Sequence, residues 1–135
     1  MPPSLSEPGS TGPAGQGAEL SVPSVPCSVA AVRHFARGAC DGLPPGTADT
    51  VELLVSEIAT NALVHGSGEV RVRVNVLDGT VRVEVDDDGT ALPQLRAPSG
   101  TSEGGRGLAL VHAMSGGWGV APRPGGKTVW FEVTA

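Results

Sequence analysis

The pattern of apolar and polar residues first predicts two helices in the N-terminal half of the chain. Between residues 47 and 65 the apolar positions recur every three or four residues, which is typical of a helix with one core-facing side. Residues 24–39 show the same period, with Ser24 or Ser28 as a candidate N-cap. The core-facing residues of the longer helix are Val51, Leu54, Val55, Ile58 and Ala62.

Between the two predicted helices, the chain contains a run of helix-breaking residues. Gly42, Pro44, Pro45 and Gly46 follow one another closely, and proline removes a backbone donor that a helix interior needs. The first helix is therefore predicted to end near residue 39, and Thr47 is the candidate N-cap of the second.

From residue 69 the apolar period changes from 3.6 to two, which predicts a hairpin of half-buried strands. Valines alternate with polar residues over 70–76 and again over 81–85. Asp78 and Gly79 between them are the residues that a two-residue type I′ turn favours. An edge strand at residues 20–22 and two late strands at 118–121 and 128–133 complete the predicted sheet. The predicted fold class is an α/β (α+β) two-layer sandwich with helices on one face of a mixed, mainly antiparallel sheet.

Composition narrows the classes of function. A chain of 135 residues holds one domain with a core, and its first 18 residues, rich in Pro, Gly and Ser, are expected to form a disordered tail before a domain at 19–135. The net charge of −5 without clustered Lys or Arg argues against direct nucleic-acid binding. No apolar run is long enough to span a membrane and no signal peptide is recognisable, so a cytoplasmic location is expected.

Three polar features stand out against this background, and the first is on the long helix. Glu57, Asn61 and His65 follow one another at four-residue spacing and share one face. That face is either simply solvated or holds a ligand. A carboxylate and an amide among apolar neighbours require hydrogen bonds or coordination, and the helix alone does not decide between the two interpretations.

The second feature is the Asp-Asp-Asp-Gly run after the hairpin. If the alternation of Val81, Val83 and Val85 continues by one step, Asp87 lies on the inward face of the sheet. If the turn begins there instead, Asp87 points to solvent like its neighbours.

The third feature is a glycine-rich stretch at 104–107, which precedes a predicted helix from about Leu108 to Met114. Glycines before a helix N-terminus form either an anion cradle or a tight packing contact.

Together these features resemble the GHKL (Bergerat-fold) ATP-binding domain, because they occur in that family's order and spacing. More narrowly, SEIATNALVHG resembles the SELxxNAxxH motif of the bacterial anti-sigma-factor serine/threonine protein kinase family. The resemblance covers the chain from about residue 19 to the C-terminus. It implies a Bergerat fold with ATP bound between the long helix and the loop at 88–107.

The resemblance also implies a role for each matched position. Asn61 matches the family ligand of Mg²⁺, Glu57 the catalytic carboxylate that takes the proton from the attacking hydroxyl, and Asp87 the acceptor for the adenine amino group. His65 matches the motif, with either a site role or a structural hydrogen bond. Thr128 is similar to a family Thr beside the adenine Asp. The remaining implied ATP-binding residues are Gly89, which lets the backbone approach the base, and the second glycine box, Gly104, Gly105, Arg106, Gly107 and Leu108.

The implied function is an ATP- and Mg²⁺-dependent protein serine/threonine kinase that transfers the γ-phosphoryl group to an antagonist protein and also acts as an anti-sigma factor. Its implied partners are an antagonist protein, a sigma factor or both, and a homodimer is compatible with the family. One departure is Ala91, which replaces the second glycine of the first glycine box. This favours nucleotide binding over efficient turnover, so the alternative is a non-catalytic, ATP-gated regulatory module. The catalytic domain of a histidine kinase is disfavoured, because the first 50 residues predict no dimerising helical hairpin with a phosphoacceptor His.

Overall fold

The computed structural model describes residues 16–65, 68–89 and 103–135. They form three helices and one five-stranded sheet in the order β1-β2-β3-β5-β4, in which all neighbouring strands are antiparallel. The strands are β1 (Gln16–Pro23), β2 (Glu69–Leu77), β3 (Thr80–Asp87), β4 (Gly117–Arg123) and β5 (Gly126–Thr134), and the helices are α1 (Ser28–Ala39), α2 (Pro45–His65) and α3 (Glu103–Met114). The two-layer α+β architecture is thus confirmed, and the described part of the sheet is wholly antiparallel.

The hydrophobic core lies between the helices and one face of the sheet. Helix α2 packs on the three central strands β2, β3 and β5, while α1 packs beside it on β1 and β2. The predicted stripe of α2 is buried, and so are the alternating valines of the hairpin. The alternation of valines and polar residues therefore predicts correctly which face of β2 and β3 packs against the helices.

The hairpin between β2 and β3 has the predicted turn. Leu77 pairs with Thr80, and Asp78 and Gly79 both have positive φ, at 52° and 78°. Two positive φ angles define a type I′ turn, whose twist matches that of the flanking strands. This turn fixes the register that carries the inward alternation along β3 to Asp87.

Several predicted boundaries are wrong. β1 begins at Gln16, not near residue 20, because its backbone pairs with β2 as far as Gln16 opposite Val76; residues 1–15 of the predicted tail lie outside the described residues. α1 begins at Ser28, whose hydroxyl donates to the carbonyl of Pro23 at 2.8 Å and does not cap the helix.

The start of α2 also differs from the prediction. It begins at Pro45, two residues before the predicted cap Thr47. Proline suits this position because the first-turn N–H groups of a helix have no partner within the helix, so the missing donor costs nothing there. The Pro-Pro-Gly run therefore both separates the two helices and opens the second one.

The face of the sheet away from the helices carries a buried network of charges. Arg73 on β2 donates to Asp86 through both terminal nitrogens, at 2.6 and 3.0 Å, and to Glu84 through Nε at 3.0 Å. Arg82 bonds Glu84 and Glu132 in turn, each at 3.0 Å. The sequence pattern assigned this face to solvent, yet Arg73 is only 7% exposed and Glu84 only 3%. The charged side chains cover one another, which no alternation pattern predicts.

The network shifts the pKa values of Asp86 and Arg73 toward their ionised forms. Burial alone raises the pKa of Asp86, but hydrogen bonds from Arg73 and Thr128 outweigh burial and leave that pKa below its ordinary value. Burial likewise acts to lower the pKa of Arg73, and its hydrogen bonds to Asp86 and Glu84 raise that pKa overall. A cluster of paired charged side chains therefore links β2, β3 and β5 on this face.

Candidate functional site

The site is built around Asp87, the last residue of β3. Its side chain is on the helix-facing side of the sheet, as the inward alternation predicts, and it is 1% exposed. Oδ1 accepts from the backbone N–H of Gly89 at 2.7 Å and from Nζ of Lys127 at 2.9 Å. Oδ2 is buried and has no hydrogen-bond partner among residues 16–65, 68–89 and 103–135. A buried carboxylate oxygen without a donor costs free energy, so Oδ2 is an acceptor available to a ligand.

Lys127 on β5 is a member of the site that the sequence analysis missed. It pairs with Asp87 across the two strands and is itself only 5% exposed. Besides its ion pair with Asp87, its ammonium lies 3.4 Å from the carbonyl oxygen of Gly89. The sequence pattern does indicate this position, because the inward alternation of Val133, Phe131 and Val129 along β5 continues to Lys127.

Thr128 is not beside Asp87, and this corrects the prediction. Because successive side chains of a strand point to opposite faces, Thr128 lies on the face away from the helices. Its hydroxyl donates to Oδ1 of Asp86 at 2.6 Å. Thr128 therefore belongs to the charged network, and Lys127 occupies the position next to Asp87.

Two glycines bring the backbone close around Asp87. Gly89 donates its N–H to the carboxylate two residues earlier, which turns the chain at the end of β3. Gly126, the first residue of β5, lies directly against the backbone of Asp87: a Cβ there would overlap the Asp87 carbonyl oxygen and lie 3.1 Å from Cα of Asp88. The carbonyl of Asp87 also accepts from Arg123 at 3.2 Å. Gly126 is thus required for the strand end to reach this position.

Gly126→Ala is expected to destabilise the fold by about 1–3 kcal/mol, because the obstructing atoms belong to the backbone and can move only by shifting β3 from β5. Urea unfolding followed by circular dichroism measures the change. Gly38→Ala is the matched control: Gly38 is an exposed position of helix α1, where a Cβ meets no described atom within 4 Å, so this substitution should stabilise by about 0.5–1 kcal/mol. Equal shifts in both variants would contradict the close packing at Gly126.

Helix α2 carries the second group of predicted residues in the layer that packs on the sheet. Glu57 and Asn61 lie one turn apart and are partly exposed, while their neighbours Ile58 and Ala62 are buried. The helix packs on β3 and β5, the strands that carry Asp87 and Lys127. A carboxylate and an amide are thereby held on a rigid element at the edge of the core. The side chain of the third motif residue, His65, lies outside the described residues.

The second glycine box is placed differently from the prediction. α3 begins at Glu103, so Gly104, Gly105 and Gly107 lie in its first turns and not in a turn before residue 108. The pattern could not show this, because glycine contributes no apolar period and disfavours a helix interior. The side chains of Arg106 and Leu108, and the whole of residues 90–102 with Ala91, lie outside the described residues.

The described side chains include no preformed multi-carboxylate metal site. Over residues 16–65, 68–89 and 103–135 no group of three or more His, Cys, Asp or Glu side chains is close enough to hold an ion. Mg²⁺ that bridges phosphates commonly takes only one or two protein ligands and completes its shell with phosphate and water oxygens. Asn61, an amide on the partly exposed face of α2, fits that smaller requirement.

Comparison with known proteins identifies the family. The model of the histidine kinase-like ATPase domain matches residues 22–133, which is most of the chain. The chain therefore belongs to the histidine kinase-like ATPase domain family. At the level of this family it is an ATP-binding domain with a GHKL fold. Asp87 and the α2 motif both lie within the residues that the family model matches.

Individual relatives agree with this assignment. The chain is 39% identical over 83 residues to the blue-light-activated histidine kinase 2 of Erythrobacter litoralis, covering 57% of this chain and 23% of that protein. Among solved structures, it matches the RsbU and RsbW domains of Rv1364c from Mycobacterium tuberculosis with a TM-score of 0.69 and 21% identity, over 88% of this chain and 32% of that one. It also matches the blue-light activated histidine kinase of Erythrobacter litoralis EL346 with a TM-score of 0.53 and 34% identity, over 68% and 31%.

These relatives are longer proteins, and the chain spans about a quarter to a third of each. The similarity to the Mycobacterium structure, at 21% identity, shows the fold. None of the described helices is long and apolar enough to cross a membrane.

Proposed function

We propose that this chain is an ATP-dependent protein serine/threonine kinase of the anti-sigma-factor type, acting on a Ser or Thr of an antagonist protein. The single observation that carries ATP binding is the buried Asp87, whose Oδ1 accepts two hydrogen bonds while Oδ2 has no donor among the described residues. The adenine amino group supplies a donor of the kind that Oδ2 lacks. The α2 motif supports the kinase step, since its sequence resembles that of the anti-sigma-factor kinases.

In this proposal two residues of α2 act at the triphosphate, one in metal binding and one in proton transfer. Asn61 would hold Mg²⁺ through its amide oxygen, and the ion would neutralise charge on the phosphates. Glu57, one turn away on the same helix, accepts the proton of the attacking Ser or Thr hydroxyl. The first turns of α3 provide backbone N–H groups and the positive end of the helix dipole for the phosphates. The chain thus separates base recognition on the sheet from phosphate chemistry on the helices.

The partners follow from the same proposal. An anti-sigma kinase binds a sigma factor, an antagonist protein or both, and it acts in the cytoplasm, where its partners are. The structural match to a protein with an RsbW domain supports this choice at the level of fold. A homodimer is compatible with the proposal.

Asp87→Asn tests the ATP site. Asparagine keeps the size of the side chain but loses the charge, so we expect ATP affinity to fall by about 1.5–3 kcal/mol, the range for a hydrogen bond to a charged group. Wild type should also bind GTP poorly, because guanine presents a carbonyl where adenine presents an amine. Isothermal titration calorimetry with both nucleotides measures these differences.

The matched control is Asp41→Asn, the same chemical change at an exposed residue after α1, which should leave both affinities unchanged. Equal ATP and GTP affinities in wild type, or an Asp87→Asn variant that binds ATP like wild type, would refute the assignment of Asp87. Circular dichroism of each variant separates a lost contact from a lost fold.

A further inference from the structure

The ion pair between Asp87 and Lys127 has a consequence for which nucleotide base is accepted. Lys127 bonds Oδ1, and no donor in the described part of the chain bonds Oδ2. Both side chains are almost completely buried, so water does not screen the ammonium from the carboxylate. An opposite charge at hydrogen-bond distance favours the ionised carboxylate, whereas burial without such a charge favours the neutral acid. The partner of Asp87 therefore decides what Oδ2 can do.

An ionised carboxylate only accepts hydrogen bonds, whereas a protonated one also carries an O–H donor. The acceptor-only form pairs with the 6-amino group of adenine and repels the 6-carbonyl of hypoxanthine or guanine. The protonated form donates to that carbonyl and so tolerates the wrong base. The selectivity of the site thus depends on the protonation state of one buried carboxyl group.

We propose that Lys127 is a specificity-determining residue, which keeps Asp87 ionised and thereby makes the site accept 6-amino purines and reject 6-oxo purines. The proposal rests on the proposed ATP function and adds a residue that the family motifs in this sequence do not include. Lys127 acts through Asp87 and not on the reacting phosphate, so it is a positioning residue. Its second contact, with the carbonyl oxygen of Gly89, helps to hold the ammonium beside the carboxylate of Asp87.

The other charged groups around the pair are accounted for. Asp88 is exposed, and Asp86 faces the opposite side of the sheet, where Arg73 and Thr128 bind it. Arg123 of β4 donates to the backbone carbonyl of Asp87 and not to its carboxylate. On α2, which packs against β3, the titratable side chain of the motif with a described position is Glu57. Among the described side chains, Lys127 is the cation that bonds the Asp87 carboxylate.

The test compares the dissociation constants of ATP and inosine triphosphate, which carries a 6-carbonyl in place of the amine and lacks the extra 2-amino group of GTP. Calorimetry is done at pH 6, 7.5 and 9 for wild type, Lys127→Met and Lys127→Arg. Wild type should favour ATP by about 10²-fold or more at every pH, as sites built around a hydrogen bond do. In Lys127→Met the preference for ATP over inosine triphosphate should be at least about tenfold smaller at pH 6. The preference should recover toward pH 9 as Asp87 ionises.

Two controls separate charge from structure. Lys127→Arg keeps a cation and should retain a pH-independent preference for ATP. Arg71→Met, on β2, removes a positive charge from a half-exposed pair with Glu19 of β1 and should leave the ratio at its wild-type value. In an Asp87→Asn background, adding Lys127→Met should not change the ratio further, because the group on which Lys127 acts is absent.

A second readout keeps the inference testable if Lys127→Met does not fold. Infrared difference spectra of wild type against Asp87→Asn, from pH 6 to 9, should show an ionised Asp87 carboxylate and no protonated acid band. A protonated band in wild type would overturn the inference. So would a folded Lys127→Met variant with the wild-type, pH-independent ratio. If wild type binds ATP and only these results fail, the inference is wrong and the ATP site stands; if wild type binds neither nucleotide, the proposed function itself fails.

Discussion

Glu57→Gln is expected to slow phosphoryl transfer by about 10²–10⁴-fold and to leave ATP affinity nearly unchanged. Glutamine keeps the shape and hydrogen bonding of the side chain but is too weakly basic to take the proton of the attacking hydroxyl. The measurement is transfer of the labelled γ-phosphoryl group from ATP to candidate antagonist proteins, with nucleotide affinity determined in parallel.

Two variants on the same helix control this experiment. Glu52→Gln makes the identical chemical change at a residue that pairs with exposed Arg37, and it should transfer at the wild-type rate. Asn61→Ala should differ from Glu57→Gln in kind, because loss of the metal ligand weakens triphosphate binding itself. Binding and proton transfer are thereby tested at two positions one helical turn apart.

The outcomes also separate the competing functions. If Glu57→Gln transfers as fast as wild type, Glu57 is not the base. If wild type transfers nothing to a partner that it demonstrably binds, the chain is the non-catalytic, ATP-gated module that Ala91 favours. An acid-labile product would indicate phosphohistidine and place the chain with its histidine kinase relatives, whereas an acid-stable one supports Ser or Thr as the acceptor.

Arg73→Met is expected to destabilise the fold by about 3–5 kcal/mol, because it leaves the buried carboxylates of Asp86 and Glu84 without their shared cation. Urea unfolding at pH 7 measures the loss. Arg71→Met, two residues along the same strand, removes an arginine whose partner Glu19 is half-exposed, and such surface pairs contribute about 0–1 kcal/mol. Similar losses in both variants would mean that the network contributes no more than a surface pair.

The same network gives the stability a dependence on acid pH. The folded pKa of Asp86 is lowered, so its contribution is complete above its unfolded pKa of about 3.9 and is lost as the pH falls through the lower folded value. Wild type should therefore lose stability below about pH 4, and Asp86→Asn should lose less over the same range. Urea midpoints from pH 7 to 3 provide the comparison. Identical pH profiles would show that the pairing of Asp86 does not set this dependence.

The sequence predicted the parts of the fold that depend on a strong period. The 3.6-residue period of α2 and the alternation of β2 and β3 arise from burial of one face, and the Asp78-Gly79 turn set their register. Asp87 was located by extending that alternation by one residue. In β5 the same alternation places Lys127, and not Thr128, on the inward face beside Asp87. The prediction of Thr128 came from its resemblance to a family residue and not from this alternation.

Other features could not be predicted because they depend on contacts between distant segments. The burial of Arg73 arises from its pairing with Asp86 and Glu84 on the next strand. The requirement for glycine at 126 arises from the backbone of Asp87, 39 residues earlier in the chain. Helix ends at Pro45 and Glu103 were missed because proline and glycine are signals for helix starts and for helix breaks alike.

The most direct test of the central claim is a crystal structure of the chain with Mg²⁺ and a non-hydrolysable ATP analogue. We expect the adenine amino group to donate to Oδ2 of Asp87 at about 2.7–3.2 Å, Lys127 to remain on Oδ1, and Asn61 to ligate the metal. An adenine bound away from Asp87, or an Asp87 Oδ2 without a donor while the nucleotide is present, would contradict it.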